Sequence, residues 1–578
     1  MIDKTLQDLK SLVAVASAER APDVIIEGGE VFDVFTGETF PGDLWICGNW
    51  IAYVGERKAT LSEATRIVDA RGLVAVPGYL DAHGHADIFY NPATFSDVAV
   101  TKGTTTVFSD SHDLMSCLGP KGFAEVLRKA RYFNIKYLWG VPATYPPYPE
   151  VEGGEMFSIY DIWDLFSRHP ECASVSEVSS YLRIMRNEDE ILERMLLARS
   201  LGRNVEGHTL GASYDRLNAL VAAGITSCHE SIRPADLKNR IRLGLYTMVR
   251  HSSIRTDLEE LGPAINTLPN DSIILVSDGI FADDLMFRGY MDHIVSEAIR
   301  FGVEPRNAIR MATINPARYF RVDSEVGSLT PGRIADVLLL ESLDRPVPVK
   351  VFERGTLAAE AGTLTRRPSP ELEVGVEFYP YAFSSVDASE FMVERPGVET
   401  VPVIDIVDRT VTRRMDVALP RAGNIILPDR KEDVRKIVYS RREEKRWGQG
   451  FLHGFGADCG GIASTVAHET HGLLVHGFND DDMALAANTV LAMKGGIAVV
   501  DAGKVLHALR LPLGAIMSRV PLPELDRALR KLVDLLHSLG NTLDDPLWTM
   551  GFLPFTSIVE LRITVSGTYD VRKGSIVF

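Results

Sequence analysis

Eight short apolar segments alternate with helical patterns between about residue 79 and about residue 325, and this alternation restricts the possible folds most strongly. The segments are GYLDAHGH, TTTVFSD, YLWGVPAT, CASVSEV, RNVEGHT, GITSCHE, LYTMVRHSS and SIILVSDG. Helical patterns such as SEAIRFG and PRNAIRMATINPARYF lie between or after them. Eight strand–helix units in roughly 250 residues have the size and order of a TIM barrel. The sequence therefore predicts an α/β fold with a TIM-like (β/α)8 barrel over residues 79–325.

The segments outside this region have a different pattern of apolar and turn-forming residues. Residues 23–57 consist of short β-rich runs separated by turns that contain glycine, and a similar pattern returns at residues 327–362. Residues 366–378 have the composition of a linker. The remainder mixes strand and helix patterns, which predicts a separate C-terminal α/β domain over residues 370–578. The first 22 residues predict an amphipathic helical segment.

The composition excludes several classes of partner. A chain of 578 residues is too long for a single hydrophobic core, so about two to four domains are expected. Its net charge of −17 argues against a nucleic-acid or anionic membrane partner. No apolar run approaches the ~18 residues of a membrane span, and the N-terminal segment lacks a signal-peptide pattern. The five cysteines are scattered without a CxxC pair, as in a reducing compartment, so we expect a cytoplasmic protein.

Two histidines one residue apart, His83 and His85, follow the first predicted barrel strand. Residues two apart in a strand point to the same face, so both imidazoles would point to one place, with Asp81 on the same side. Any single histidine of this kind is more often structural or solvated than a ligand. The ends of other predicted strands carry further polar residues of the same kind, namely Glu177, His208, His229 and Asp278. Together these side chains predict a metal site at the carboxyl end of the barrel.

The mixed nitrogen and oxygen donors suit Zn²⁺, Mn²⁺ or Fe²⁺. A carboxylate such as Glu177 could bridge two ions, so the expected cofactor is one or two divalent metals. Divalent metals lower the pKa of a bound water towards neutrality and so supply a nucleophile. Asp278, alone at the last strand, is placed to take up the proton. Glu230 and His112 are further candidates for proton transfer, although Glu230 could equally be a plain surface acid or orient the metal ligands.

Several motifs together resemble the amidohydrolase superfamily: the HxH strand, EGH, CHE, the aspartate of strand eight, MATINPARYF and GSLTPGRIADVLLL. Within that superfamily the chain resembles the adenine deaminase family over nearly its full length. The resemblance includes KGTTTVFSDSHDLMSCLG and continues into GFGADCGGIASTVAHETHGLLVHGFNDDDMALAANTVLAMKGG near the C-terminus. It implies a hydrolytic deaminase that acts on a small molecule, adenine or a related amino-substituted N-heterocycle, and we expect a homo-oligomer.

The resemblance also implies the role of individual residues and segments. Residues 23–78 and 326–365 would form a composite β-sandwich interrupted by the barrel, and residues 370–578 would be a C-terminal domain of the adenine deaminase type. Asp278 would be both a ligand and the proton shuttle, and Glu177 would be the bridging carboxylate. The remaining metal ligands would be His83, His85, His208 and His229.

The chain departs from the family pattern around the expected pocket. The family continues the first strand as HxHxESS, whereas this chain has Asp87 for the glutamate and Ile88–Phe89 for the two serines. The family's D-P-H-E after strand two reads Asp110–Asp113 here, with sequence DSHD, and the paired aspartates after strand eight become Asp278–Gly279. These departures affect the choice of substrate more than the type of reaction. The residues expected to line the substrate pocket are Asp87, Phe89, Asp113 and His468.

The HETHG motif at residues 468–472 is not a zincin site, because His468 and His471 are three residues apart where that motif needs four.

Two other interpretations of the sequence compete with deamination. Hydrolysis of a cyclic amide by the same metal site is the alternative activity, and a non-catalytic relative is a third possibility. The apolar groups at Ile88 and Phe89 lead us to expect weak activity on adenine and better activity on a bulkier heterocycle.

Overall fold

The computed structural model describes residues 4–154, 157–374 and 381–578. Three residues of the predicted N-terminal helical segment, and residues 375–378 of the predicted linker, lie outside the described residues. The first elements are α1 (Leu6–Ala16), β1 (Val24–Glu27), β2 (Glu30–Phe32), β3 (Thr39–Pro41), β4 (Asp43–Cys47), β5 (Trp50–Gly55), β6 (Arg66–Asp69) and β7 (Val74–Pro77).

The next elements alternate between strands and helices. They are β8 (Tyr79–Gly84), α2 (Pro92–Ala99), β9 (Thr104–Ser109), α3 (His112–Ala130), β10 (Lys136–Val141), α4 (Pro149–Glu152), α5 (Ile159–Arg168), β11 (Cys172–Val178), α6 (Tyr181–Met185), α7 (Asp189–Ser200), β12 (Asn204–Gly207), α8 (Tyr214–Ala223), β13 (Ser227–Cys228), α9 (Pro234–Arg242), β14 (Tyr246–Arg250), α10 (Leu258–Ile265), β15 (Ile273–Val276), α11 (Ala282–Phe287), α12 (Met291–Arg300), α13 (Pro305–Met311) and α14 (Ile314–Tyr319). A 3₁₀ helix covers Val100–Lys102.

Each of the eight predicted barrel segments overlaps one of the strands β8–β15, and all their pairings are parallel. Two backbone hydrogen bonds connect the five-stranded part of the sheet to the three-stranded part. The N–H of Thr226 donates to the carbonyl of Val205 at 2.9 Å, and the N–H of Asp278 donates to the carbonyl of His83 at 2.8 Å. The strands thus follow one another around a TIM-like α/β domain, with their carboxyl ends on one face.

Four strands follow the barrel: β16 (Val337–Ser342), β17 (Arg345–Glu353), β18 (Thr356–Glu360) and β19 (Thr363–Leu364). They join strands that precede the barrel in a seven-stranded sheet of order β19-β18-β17-β16-β7-β2-β3. A four-stranded sheet of order β5-β4-β1-β6 shares an apolar cluster with it that includes Ile26, Leu44, Val337 and Phe352. The chain segments on both sides of the barrel therefore build one pair of sheets. The domain boundaries predicted from the sequence stay predictions.

The last elements are a 3₁₀ helix (Ala388–Phe391), β20 (Val393–Glu394), β21 (Val401–Ile406), β22 (Thr412–Val417), β23 (Arg421–Ala422), β24 (Ile425–Ile426), β25 (Val434–Ser440), β26 (Gly448–His453), β27 (Gly461–Ser464), β28 (Leu473–Gly477), α15 (Asp480–Ala492), β29 (Gly496–Asp501), β30 (Lys504–Arg510), α16 (Leu522–Ser538), α17 (Pro546–Phe552), β31 (Leu561–Thr564), β32 (Gly567–Asp570) and β33 (Ser575–Ile576). Eight of the strands form a mixed sheet of order β22-β21-β26-β25-β28-β27-β29-β30, with α15 packed against β27, β28 and β29.

Backbone hydrogen bonds connect this C-terminal part directly to the barrel. The N–H of Phe89 donates to the carbonyl of Ile516 at 3.0 Å, and the N–H of Ser518 donates to the carbonyl of Phe89 at 2.7 Å. The side-chain amide of Asn91 donates to the carbonyl of Ser518 at 2.8 Å. The two parts also share one hydrophobic core, so the barrel mouth is covered by residues distant in sequence. Across the residues that the structure describes, no helix combines the length and apolarity needed to cross a membrane.

We predict that a chain ending near residue 365 is insoluble or inactive. It would expose the apolar core shared with the C-terminal part and would leave the backbone groups of Phe89 without partners. The measurements are the soluble fraction after expression and the activity of any soluble material, with the full-length chain as the control. A soluble and fully active truncated chain would contradict this prediction.

Candidate active site

The first barrel strand places two buried histidines at the mouth of the barrel. His83 lies within β8 and His85 follows it directly. Asp81, which the sequence places on the same side, instead connects the first and eighth strands, because its carboxylate accepts the N–H and the hydroxyl of Ser277 at 3.2 and 2.5 Å. The hydroxyl of Tyr290 also donates to it. Asp81 therefore supports the strand end rather than facing the site.

The first donor group consists of His83, His85 and Asp278. The Nε2 atoms of His83 and His85 lie 3.4 and 3.8 Å from Oδ1 of Asp278. Nε2 of His85 also lies 3.8 Å from Oε1 of Glu177. The ring of His83 stacks on that of His229, with centroids 4.1 Å apart, so the first and sixth strands meet here.

The second donor group consists of His208 and His229, together with the other oxygen of Glu177. Oε2 of Glu177 lies 2.8 Å from Nδ1 of His208 and 3.1 Å from Nε2 of His229. The two ring nitrogens are 3.2 Å apart. Glu177 therefore presents one carboxylate oxygen to each donor group. Its backbone N–H donates to Oδ2 of Asp110 at 2.6 Å, which fixes the end of the fourth strand.

The residues present fit divalent metal ions. Both ring nitrogens of His83 are buried and have no hydrogen-bond partner among the described residues, which is costly unless another group satisfies them. The donors within the two groups lie 2.8–3.8 Å apart, close to the separation of about 3–4 Å between two ligands of one ion with bonds of about 2.0–2.2 Å. Overlapping sets of histidine and carboxylate donors converge here, including His83–His229–Asp278 and Glu177–His208–His229.

An arginine that the sequence analysis did not single out joins the site. Nη1 of Arg250 lies 3.1 Å from Oδ2 of Asp278 and 2.5 Å from Oε1 of Glu230. Burial opposes ionisation of both carboxyl groups. Nevertheless, His83, His229 and Arg250 hold the pKa of Asp278 well below its usual range, and Arg250 lowers the pKa of Glu230 to about 2. Arg250 therefore keeps Glu230 ionised and leaves Oδ1 of Asp278 facing the histidines.

A second buried cluster surrounds Asp113. Its Oδ2 lies 3.4 Å from Nδ1 of His85 and 3.3 Å from Nε2 of His112. Its Oδ1 lies 3.3 Å from Nδ1 of His468 and 2.5 Å from Nε2 of His471. Burial opposes ionisation, but the surrounding histidines, led by His112, hold the pKa of Asp113 well below its usual range. Asp113 thus connects a metal-facing histidine of the barrel to the HETHG loop of the C-terminal part.

A cavity of about 300 Å³ opens over the two donor groups. Its floor includes His85, Glu177, His208 and Asp278. Glu230, Arg250 and His468 also line it, and the ring of His468 packs 4.7 Å from that of Phe555, centroid to centroid. Apolar side chains form most of the walls: Leu210, Ile232, Ile254, Val411, Trp548, Phe552, Phe555, Ile558 and Val559. The last six come from the C-terminal part, which therefore contributes directly to the cavity.

Comparisons with known proteins agree with this arrangement. A profile of the amidohydrolase family matches residues 74–359, and a profile of the adenine deaminase C-terminal domain matches residues 409–575. Adenine deaminase of Moorella thermoacetica is 32% identical over 98% of this chain and 96% of its own length. This chain belongs to the adenine deaminase family. The archaeal adenine deaminase of Cenarchaeum symbiosum is also 32% identical, over 98% of this chain and 94% of its own.

Among solved structures, dihydropyrimidinase from Brevibacillus agri aligns with 60% of this chain, and 96% of that enzyme is covered. The TM-score is 0.46 and the sequence identity 15%. As a member of the adenine deaminase family, this chain is a metal-dependent hydrolase of carbon–nitrogen bonds.

Three of the residues expected to line the substrate pocket lie elsewhere. Asp87 is fully buried, and its Oδ2 accepts the N–H of Leu114 at 3.1 Å. Burial, followed by the nearby carboxylate of Asp113, raises the pKa of Asp87 to about 8. Phe89 lines a separate cavity of about 250 Å³, and Asp113 is enclosed by its histidines. Of the four expected residues, only His468 lines the cavity over the donor groups.

The backbone fixes the position of Phe89. Its φ of 66° lies in the left-handed region, and its N–H and carbonyl are hydrogen-bonded to Ile516 and Ser518 of the C-terminal part. His112, a candidate for proton transfer, is not among the residues that line the cavity, and its Nδ1 lies 2.7 Å from Oδ1 of Asp110. At Gly279 an added Cβ would lie 2.6 Å from Cδ1 of Ile254, so Ile254 occupies space that an aspartate here would need.

We predict that replacing His83 and His85 with alanine lowers the metal content of the purified protein. The double variant removes two of the three residues of the first donor group. Elemental analysis of the protein gives the number of ions per chain, and His507→Ala, which alters a half-buried histidine of β30 away from the site, is the matched control. Unchanged stoichiometry in the double variant would mean that these histidines do not bind metal.

Proposed function

We propose that this protein hydrolyses the exocyclic C–N bond of adenine or a related amino-substituted N-heterocycle. One water is consumed, the amino group leaves as ammonia, and the ring carbon keeps the oxygen. The observation that carries the proposal is the pair of donor groups sharing Glu177 beneath a cavity whose walls come partly from the C-terminal part. Family membership over nearly the whole chain supports the same activity.

We propose that two divalent ions bind, one to His83, His85 and Asp278 and one to His208 and His229, with Glu177 between them. Mn²⁺, Fe²⁺ and Zn²⁺ all suit imidazole and carboxylate ligands. When bound, such ions lower the pKa of a water towards neutrality and polarise the atom under attack. The buried, unpartnered nitrogens of His83 support this assignment.

The chain's own residues then handle the proton and the substrate. Asp278 has one oxygen facing the histidines and the other paired with Arg250, so it is ionised and oriented to accept a proton from water and pass it to the departing amine. Glu230 is held by the same arginine, at the wall of the cavity, where it can accept a hydrogen bond from a ring N–H. His468 packs edge-to-face against Phe552 and Phe555, and these rings offer an aromatic wall for a heterocycle.

The apolar walls bear on the choice of substrate. Ile254 fills the space next to Gly279, and Trp548, Phe552 and Phe555 face the donor groups from the C-terminal part. Burial of a ring against such walls excludes water and favours an apolar ligand. We propose that a bulkier or more apolar heterocycle is preferred to adenine, and the apolar walls of the cavity, rather than Phe89, support this preference.

Hydrolysis of a cyclic amide is not favoured, because the similarity to adenine deaminases continues through the C-terminal domain. We also propose a homo-oligomer in the cytoplasm. All five cysteines are free and buried, as expected in a reducing compartment. Large apolar side chains remain exposed on the barrel helices α5 and α7, where Tyr160 is 78% and Leu196 is 70% exposed, and they could support association between chains.

We predict that Asp278→Asn lowers turnover by at least ~10², the scale of general acid–base catalysis. The amide keeps the shape of the side chain, but its NH2 group replaces an acceptor oxygen and it cannot accept the proton. Steady-state assays of ammonia release, combined with metal analysis and circular dichroism, separate a catalytic loss from metal loss or unfolding. Turnover near that of the natural chain would assign proton transfer to Glu230 or His112 instead.

A panel of substrates tests the activity and the preference. We predict ammonia release from amino-substituted purines, with higher kcat/KM for analogues carrying an apolar group than for adenine itself. Ring opening of cyclic amides, followed by ultraviolet absorbance, is measured in parallel. A kcat/KM on adenine above ~10⁴ M⁻¹s⁻¹ is in the usual range for a natural substrate. Such a value would contradict the proposed preference for a bulkier or more apolar heterocycle. Absence of turnover throughout, with metal bound, would support a non-catalytic relative.

A further inference from the structure

A second and much smaller cavity borders the metal site. We call it the Glu469 chamber, and its volume is about 20 Å³. Glu177 and His112 line it from the barrel, together with Ser179, Tyr145 and neighbouring backbone, and Glu469 lines it from the C-terminal part. Glu177 is common to this chamber and to the larger substrate cavity. The chamber therefore lies next to the reacting centre without belonging to the space for the heterocycle.

The chamber has room for one small molecule. A cavity needs about 10–15 Å³ of this kind of volume to hold a single water, so about 20 Å³ admits one water-sized species and excludes a ring. The molecules of this size in a hydrolytic deamination are the water consumed and the ammonia released.

Glu469 brings an unsatisfied acceptor to this chamber. Its side chain is buried, and Oε1 accepts the hydroxyl of Ser179 at 2.5 Å. Oε2 has no hydrogen-bond partner among the described residues. A buried carboxylate oxygen without a donor is costly, and it is rare in native structures unless a water, an ion or a ligand satisfies it.

The loop that carries Glu469 is held in an unfavourable conformation. Glu469 and His471 both have positive φ, 64° and 41°, although neither is glycine. The barrel holds the loop through Asp113, which accepts the N–H of Glu469 at 3.0 Å, and through Tyr145, whose hydroxyl donates to the carbonyl of Thr470 at 2.7 Å. Such strain persists only where the surroundings enforce it, and it occurs most often at functional sites.

Glu469 gives the chamber an acceptor that suits a cation. Burial raises the pKa of its carboxyl group to about 8, and a bound cation would favour the ionised form. Glu177, the other carboxylate of the lining, serves the proposed metal ions, and the described lining residues include no lysine or arginine. His112 is the one lining residue that could carry a positive charge, and Asp110 and Asp113 already face its ring. An ammonium ion has the size of a water, carries four N–H donors and forms a charge-assisted hydrogen bond with a free carboxylate oxygen.

We propose that the Glu469 chamber binds ammonium, the product that leaves the substrate, and so receives it apart from the heterocycle. This inference rests on the proposed deamination. Binding forms and breaks no covalent bond: the ion donates hydrogen bonds to Oε2 of Glu469 and to the acceptors beside it. The C-terminal part thereby contributes to product release as well as to the substrate cavity.

The test measures ammonium binding by the full-length, metal-loaded protein in the absence of substrate. We expect ammonium chloride to raise the melting temperature in a saturable way relative to equal concentrations of sodium chloride. Methylammonium chloride, which is too large for the chamber, should have no such effect. Glu469→Gln should weaken ammonium binding by about tenfold or more, since it removes the charge but keeps the shape. Glu469→Asp, which withdraws the carboxylate, should weaken it less.

Glu152→Gln is the matched control, because Glu152 is also buried but its two oxygens already accept the N–H of Tyr148 and the hydroxyl of Thr556. Its ammonium binding should equal that of the natural chain. Equal ammonium binding in Glu469→Gln and in the natural chain, equal stabilisation by methylammonium, or the loss of one metal ion per chain in Glu469→Gln would each overturn the proposal.

Kinetics provide a second readout on an active substrate. Ammonium chloride should inhibit turnover without competing with the heterocycle, since the two occupy different cavities, and Glu469→Gln should raise its inhibition constant by about tenfold. Purely competitive inhibition would overturn the proposal. Failure of every substrate in the panel would refute the proposed function alone, because ammonium binding is measured without turnover.

Discussion

The carboxylate of Glu177 is the contact on which the rest of the site depends. One oxygen faces His85 and the other faces His208 and His229, so the fourth strand joins donors from opposite sides of the barrel. Its backbone N–H donates a hydrogen bond to the carboxylate of Asp110, and the other oxygen of Asp110 faces His112. Removal of this one side chain would leave His85 and His208 without the carboxylate that faces both of them.

Such a concentration of buried ionisable groups is costly to fold. The burial of a carboxylate costs several kcal/mol unless it is paired, and here Arg250 compensates two of them while histidines face the others. Five carboxylates are involved: Asp110, Asp113, Glu177, Glu230 and Asp278. Divalent ions would offset much of the remaining cost, which couples metal binding to the stability of the barrel mouth.

Much of the barrel could be predicted from the sequence, because each strand is a short apolar run that ends in a polar residue. Local spacing also predicts that His83 and His85 share a face. Arg250 gave no signal of its own, since an arginine at a strand end is most often a solvated charge. The left-handed conformation of Phe89 gave no signal either, since it occurs at a residue that is not glycine.

The walls of the substrate cavity were beyond prediction for a different reason. Trp548, Phe552 and Phe555 lie in or next to a short helix whose composition is that of an ordinary hydrophobic core. Only the fold brings them to a barrel mouth formed by residues hundreds of positions earlier. The role of Glu469 is hidden in the same way, because its neighbours Ser179 and Asp113 belong to the barrel.

The indole of Trp548 lines both the cavity over the donor groups and the separate one beside Phe89. A single side chain therefore divides spaces of about 300 and about 250 Å³. A smaller residue at this position would join them without any change to the metal ligands. The scaffold thus has a short evolutionary route to elongated substrates, since this position is not among the proposed metal ligands and can vary while the reaction chemistry stays in place.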